Sequence, residues 1–164
     1  MKLGFSDQRQ LDAAEGWLEL GNWLEANEEL EGISPKMRTH PCVLRVRWEI
    51  YAKAGKWEMA VEIARTLSEV LPDNSWGFIQ LAYSLHELKR TPEAKSVLLP
   101  LVTRFPDEST IQYNLACYCC QLGELKEAWQ WLEKAIDQEN KRDIRIVALE
   151  DSYLEPLWTQ ISEI

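Results

Sequence analysis

The segment ACYCC, residues 116–120, carries three of the chain's four cysteines: Cys117, Cys119 and Cys120. Read as Cys117-x-x-Cys120, it has the spacing of dithiol redox centres and of zinc sites. His86 stands 34 residues before Cys120. Cys117, Cys120 and His86 would then be two thiols and an imidazole, the soft donors that zinc takes. Whether these donors meet depends on the elements that carry them. Other catalytic constellations are missing from the sequence. It has no Gly-rich phosphate loop, no second His near His86-Glu87 to make H-E-x-x-H, and no nucleophile elbow.

The 164 residues, 46% apolar and 27% charged, suffice for one domain with a sizeable core. A formal charge of −9 speaks against a nucleic-acid partner, which needs a basic surface, and against an anionic membrane. MKLGFSDQRQ has no apolar core of signal-peptide length, and no run of about 18 apolar residues follows. The expectation is a cytoplasmic protein with free thiols.

Ala26, Ala60, Ala94 and Ala128 lie 34 residues apart, as do Gly21, Gly55, Lys89 and Gly123, and Leu30, Ala64, Leu98 and Leu132. Met37, Leu71 and Phe105 form a further set, the last two followed by Pro72 and Pro106. Within a period the apolar spacing is helical: Phe78, Leu81, Ala82 and Leu85 sit at i, i+3, i+4 and i+7. Thr91-Pro92 predicts a second helix, with Thr as N-cap and Pro at the first helical position. The Gly or Lys just before supplies the turn, and LPDN and FPDE stop the second helices. Nothing alternates at period two. The pattern predicts eight antiparallel helices in four pairs.

This unit resembles the tetratricopeptide repeat of bacterial proteins, whose pattern is W-x2-L-G-x2-Y, then A-x3-F, then P. The third repeat matches as Phe78-x2-Leu81-Ala82-x2-Leu85, Ala94-x3-Leu98, Pro106; the fourth as Gln112-x2-Leu115-Ala116-x2-Cys119, Ala128-x3-Leu132. The second offers Trp48 where a small residue belongs, which puts the helix spacing there in question. The first keeps Ala13-Ala14, Trp17, Ala26 and Leu30. The resemblance implies an all-α, right-handed α-solenoid of four helix-turn-helix units. Their bounds would be about 7–40, 41–74, 75–108 and 109–140, in an array over 1–140. Segment 141–164 would cap it. Leu154, Leu157, Trp158 and Ile161 form one apolar stripe, and Pro156 places a helix start near Leu154.

The resemblance further implies that first helices line a concave groove. Removing the packing stripe of the third repeat leaves Trp76, Ile79, Tyr83 and His86. Shifted by one period this set becomes Thr110, Tyr113, Cys117 and Cys120, and in the other direction Cys42, Arg45, Glu49 and Ala52. Candidate groove residues are thus Arg45, Glu49, Trp76, Ile79, Tyr83, His86, Tyr113, Asn114, Cys117 and Cys120. Aromatics with a polar handle suit recognition. Arg45 and Asn114 lack the paired lysines and second asparagine of a chaperone-tail clamp. The function implied is a non-enzymatic scaffold that binds a partner protein or peptide in the groove, as a monomer. The alternative is a homo-oligomer or assembly subunit using the convex face or the ends.

Charge is segregated. Residues 12–31 hold seven acids and no Lys or Arg, whereas 36–56 hold six bases and one acid. Opposite blocks in adjacent repeats suit contacts between them. The cysteines now have a frame. They lie mid-helix, away from the helix N-terminus and preceding strand of a thioredoxin-like site. No fourth ligand stands beside Cys117, Cys120 and His86, so neither metal nor cofactor is expected. Cys119 falls on the packing stripe, whereas Cys117 and Cys120 should be accessible from the groove.

Overall fold

Gly21, Gly55 and Gly123 adopt φ of 77°, 65° and 77°, and Lys89, the fourth member of their set, adopts 62°. At all four positions the N–H bonds back three residues at 2.8–3.0 Å, and the next residue's N–H bonds back five at 2.9 Å. One left-handed residue thus closes each first helix and satisfies carbonyls that would otherwise be orphaned.

The computed structural model describes residues 2–138 and 141–163. The helices are α1 (Phe5–Glu19), α2 (Trp23–Glu31), α3 (Pro41–Lys53), α4 (Trp57–Val70), α5 (Ser75–Glu87), α6 (Thr91–Leu98), α7 (Leu101–Arg104), α8 (Ser109–Gln121), α9 (Leu125–Gln138), α10 (Lys141–Glu150) and α11 (Trp158–Ser162). Short 3-10 turns cover Pro35–Met37 and Ser152–Leu157, and no strand occurs among the described residues. The chain divides into two compact units, Met1–Ser84 and Leu85–Ile164.

In the first unit α1 packs on α2 and α3 on α4; in the second α8 packs on α9. Ala26, Ala60, Ala94 and Ala128 have no exposed surface, and neither do Leu30, Ala64, Leu98 and Leu132. The two sets with one period therefore lie in the core, where added volume forces neighbours apart. Trp48 does not wedge the first unit open. Its buried indole N–H donates to Ser84 Oγ at 3.0 Å, and its ring meets Trp76 on α5. Room for α5 comes instead from Gly77. A Cβ there would stand 2.8 Å from the backbone nitrogen of Ser68 on α4.

Several details differ from the expectation. Thr91 is the first residue of α6 rather than its N-cap, which is Arg90. Its hydroxyl shares a 3.0 Å hydrogen bond with His86 Nδ1. The second helix of the third period is broken into α6 and α7 at Leu99-Pro100, because Pro100 has no N–H to continue the ladder. The C-terminal helix starts at Trp158, not near Leu154, and Pro156 lies inside the preceding 3-10 turn. Helix α10 was not foreseen. Leu154, Leu157 and Ile161 are buried as the stripe predicted, in a segment packed on α8, α9 and α10.

Candidate interaction surface

In the first unit, α3 and α5 present aromatic rings in a connected run. Trp57, at the start of α4, meets Tyr83 edge-on at 5.6 Å; Tyr83 lies 6.4 Å from Trp48, and Trp48 lies 5.4 Å from Trp76. Arg45 ends the run, its guanidinium 5.7 Å from the Trp76 ring centre. Such edge-to-face and cation–π pairs lock ring orientation. Trp48 is buried, Trp57, Trp76 and Tyr83 are half-buried, and the Arg45 side chain is 63% exposed. Beside Trp76 and Arg45 opens a pocket of about 250 Å³ lined by Pro41, Cys42, Arg45, Leu67, Leu71, Asn74 and Trp76. A second hollow, about 440 Å³, runs from Arg45 and Glu49 past Lys53 to Glu15, Leu18 and Glu19. Glu49 accepts from Arg45 Nε at 3.4 Å. Partial burial, with Asp12, Glu49 and Glu19 nearby, raises the Glu15 carboxyl above its ordinary value, and Arg45 partly opposes this.

The predicted residues of the second unit have a different environment. Asp151 opens the 3-10 turn after α10; its Oδ1 accepts the Tyr153 N–H at 2.9 Å. Its Oδ2 accepts the Tyr113 hydroxyl at 3.0 Å and the Cys117 thiol at 3.6 Å. Tyr153 sets its ring edge on His86 at 4.5 Å and donates its hydroxyl to Glu87 at 2.9 Å. Gln121 donates to the Tyr153 carbonyl at 3.1 Å. Residues 151–153 therefore lie against the face of α8 that carries Tyr113 and Cys117. Asn114, also on α8, is half-buried.

This corrects the expectation of accessible thiols: Cys117 and Cys120 are buried along with Cys119, and Cys42 is the exposed cysteine. Burial, then Asp151, pushes the Cys117 thiol well up and the Cys120 thiol to about 11. Both stay protonated at neutral pH and are poor nucleophiles. Ile79 and His86 are buried too. The His86 ring lies between Tyr153 and Tyr118, the latter centred 4.8 Å away. Burial lowers its pKa; Lys89 acts in the same direction, and Glu87 and Asp151 oppose it.

His86, Cys117 and Cys120 do not gather as three ligands. The trio of metal-type donors within 4.8 Å of one another among the described residues is Cys119, Glu124 and Glu127. Its centre already belongs to a cation. Lys95 Nζ donates to Glu124 at 2.6 Å and to Glu127 at 2.9 Å, with its side chain only 14% exposed. Those bonds hold the ammonium well above the usual lysine range against its own desolvation. A divalent ion would have to displace it. The segregated charges pair between neighbouring helices: Glu31 on α2 accepts from Arg47 on α3 at 2.7 Å and meets Arg38 at 3.6 Å.

Sequence reasoning missed Trp48, Trp57, Asp151 and Tyr153. Trp57 had a signal, since it stands one period after Trp23. Tyr153 had none, because nothing in the period brings it to His86.

Helix hairpins closed by a left-handed residue and repeated every 34 residues, with buried alanines at the same spacing, define the tetratricopeptide α-solenoid fold. Solved structures of that fold superpose on most of the chain. MamA from Desulfovibrio magneticus RS-1 (residues 41 to the end) matches with TM-score 0.75 and 16% identity over 99% of this chain and 96% of that one. TTC0263, a tetratricopeptide protein of Thermus thermophilus, matches with 0.74 and 22% over 94% and 82%. YrrB, described as a tetratricopeptide protein with an unusual peptide-binding site, matches with 0.71 and 15% over 89% and 75%. No protein-family model matches the sequence, and no curated protein does. Among the described residues no helix is long and apolar enough to cross a membrane.

Proposed function

We propose that the chain is a non-catalytic protein-interaction module that holds a segment of a partner protein against Arg45, Glu49, Trp76 and Tyr83. The observation that carries this reading is the run Trp57–Tyr83–Trp48–Trp76–Arg45 beside an open pocket. Trp, Tyr and Arg are the side chains that dominate binding energy at protein interfaces. The repeat register accounts for the buried alanines and leucines but does not require three half-buried rings next to a guanidinium. YrrB's peptide-binding site supports a peptide-holding role for the fold, while the residues argued for here are this chain's own.

Tyr113, His86 and Cys117 serve differently in this proposal. They engage residues 151–153 of the same chain, and Ile79 and Cys120 serve packing. Segment 141–164 acts as the cap of the last repeat, a role supported by the complete burial of Leu154 and Ile161. A homo-oligomer built through an end is the second reading. It is favoured by Leu20 and Leu24, 76% and 60% exposed around one helix turn.

The test pairs wild type with a Trp76→Ala, Tyr83→Ala variant as bait. A captured protein, purified and recombined with the bait, should form a complex with wild type and not with the folded variant. Equal binding to both would remove the aromatic surface from the proposal. A concentration-stable dimer by light scattering would favour the end-to-end reading.

A further inference from the structure

We infer that the pocket at the start of α3 and α5 selects an acidic partner segment, one that sets an Asp or Glu side chain on Arg45 beside a large apolar side chain on Trp76. The inference rests on the interaction reading above and adds the chemistry of the partner. Its volume of about 250 Å³ falls below the range of about 300–1,000 Å³ usual for small-molecule sites. It has room for one large side chain of a polypeptide.

The walls are of two kinds. Leu67, Leu71, Pro41 and Trp76 make an apolar floor, and Leu71 is 39% exposed, which an occupied pocket would cover. The polar part is biased toward anions. In a chain with 27 acidic and 18 basic residues, no carboxylate lines this pocket and one guanidinium does. Pro41 and Cys42 are the first two residues of α3, where Pro41 has no N–H and the Cys42 N–H donates to His40 Nδ1 at 3.3 Å, so the anion preference of the pocket rests on Arg45 rather than on the helix end. Asn74 uses its side-chain oxygen to accept the Trp76 N–H at 2.9 Å, which leaves the amide nitrogen as the donor end of that group.

Two acids flank the pocket. Asp73 precedes Asn74 in the turn, and Glu49 holds Arg45 at 3.4 Å through one exposed contact. An exposed ion pair of that kind is worth little, and a guanidinium has five N–H donors, so a partner carboxylate can share Arg45 with Glu49. The guanidinium carbon lies 5.7 Å from the Trp76 ring centre, which keeps Arg45 beside the apolar floor of the pocket.

The experiment is selection of a random dodecapeptide library displayed on phage against the full chain, against Arg45→Gln and Arg45→Glu, and against Trp76→Ala. Circular dichroism and melting confirm each fold; Arg45 is exposed, so its replacement leaves the core untouched. Wild type should enrich peptides in which Asp or Glu neighbours Phe, Leu or Trp. One such peptide, made synthetically, should bind Arg45→Gln about tenfold more weakly, the loss of one charge-assisted hydrogen bond. Arg45→Glu should lose the acidic preference altogether. If peptides are enriched without an acidic excess, or equally on Arg45→Glu, while Trp76→Ala still loses them, the charge assignment is wrong and the aromatic surface stands. If Trp76→Ala retains them, or no peptide is enriched on any of the proteins, both fall.

Discussion

Replacing Lys89 by glycine should stabilise the chain. The four helix turns at residues 21, 55, 89 and 123 have the same hydrogen bonds and left-handed φ between 62° and 77°, but only one is occupied by a residue with a Cβ. For such a residue the left-handed region costs about 1–2 kcal/mol. Glycine removes that strain and returns about 0.5–1 kcal/mol of it through the greater freedom of the unfolded chain. The net gain should be about 0.5–1 kcal/mol. Lys89 is exposed, so little packing is lost. The mirror experiment is Gly55→Ala. A Cβ at Gly55 meets nothing within 4 Å, so steric contact plays no part and any loss is conformational. It should cost about 1 kcal/mol. Urea melts read both changes, and an unchanged slope would place them in the folded state's stability rather than in its compactness. A Lys89→Gly protein no more stable than wild type, or a neutral Gly55→Ala, would refute the claim that backbone conformation selects glycine at this register.

Gly77→Ala carries opposed effects: about 1 kcal/mol of helix propensity in its favour and a Cβ 2.8 Å from the Ser68 backbone against it. The backbone of α4 cannot swing aside like a side-chain tip, so a net loss of about 1–2 kcal/mol is expected in the same melts. His86 sets a pH dependence. Its folded pKa is lowered, so the unfolded chain takes up a proton first, and stability should fall as pH drops below about 6.5. His86→Phe should flatten that slope below about pH 6.5. Glu15 acts in the opposite sense, because its raised carboxyl is relieved by protonation as pH falls. A thiol reagent should modify Cys42 at once and Cys117, Cys119 and Cys120 only on unfolding; fast loss of two or more thiols would contradict their burial. Leu154→Ala should cost about 2–5 kcal/mol by thermal or urea unfolding, as removal of a fully buried leucine does.

The fold was legible because its buried positions recur. Ala60 and Ala94 share the 34-residue spacing and are fully buried, and the turn at Lys89 followed from the glycines that share its register. Contacts that do not recur could not be read this way. Trp48 stands at a position for small residues, and the period cannot say that its indole turns to Ser84. Tyr113 and Asp151 are 38 residues apart and meet through a segment that is outside the repeats. The candidate site was legible by halves for the same reason. Arg45, Trp76 and Tyr83 were found by subtracting the packing stripe. For Cys117 and His86 that subtraction assumed open space, and residues 151–153 lie there. Helix α10 went unseen, although Ile144 and Ala148, four apart, supply a turn of inward spacing.

The aromatic run of the first unit also makes the protein its own optical instrument. Trp48 and Trp76 lie 5.4 Å apart at 83°, and Tyr83 lies 5.6 Å from Trp57. Rings that close share their excitation. Light absorbed by Tyr83 leaves as tryptophan emission, and the paired indoles give the near-ultraviolet dichroism a signed, orientation-dependent band. The dichroism of the indole pair depends on how Trp76 is held. A partner side chain that settles in its pocket would therefore announce itself in unlabelled protein, as a change in that signed band.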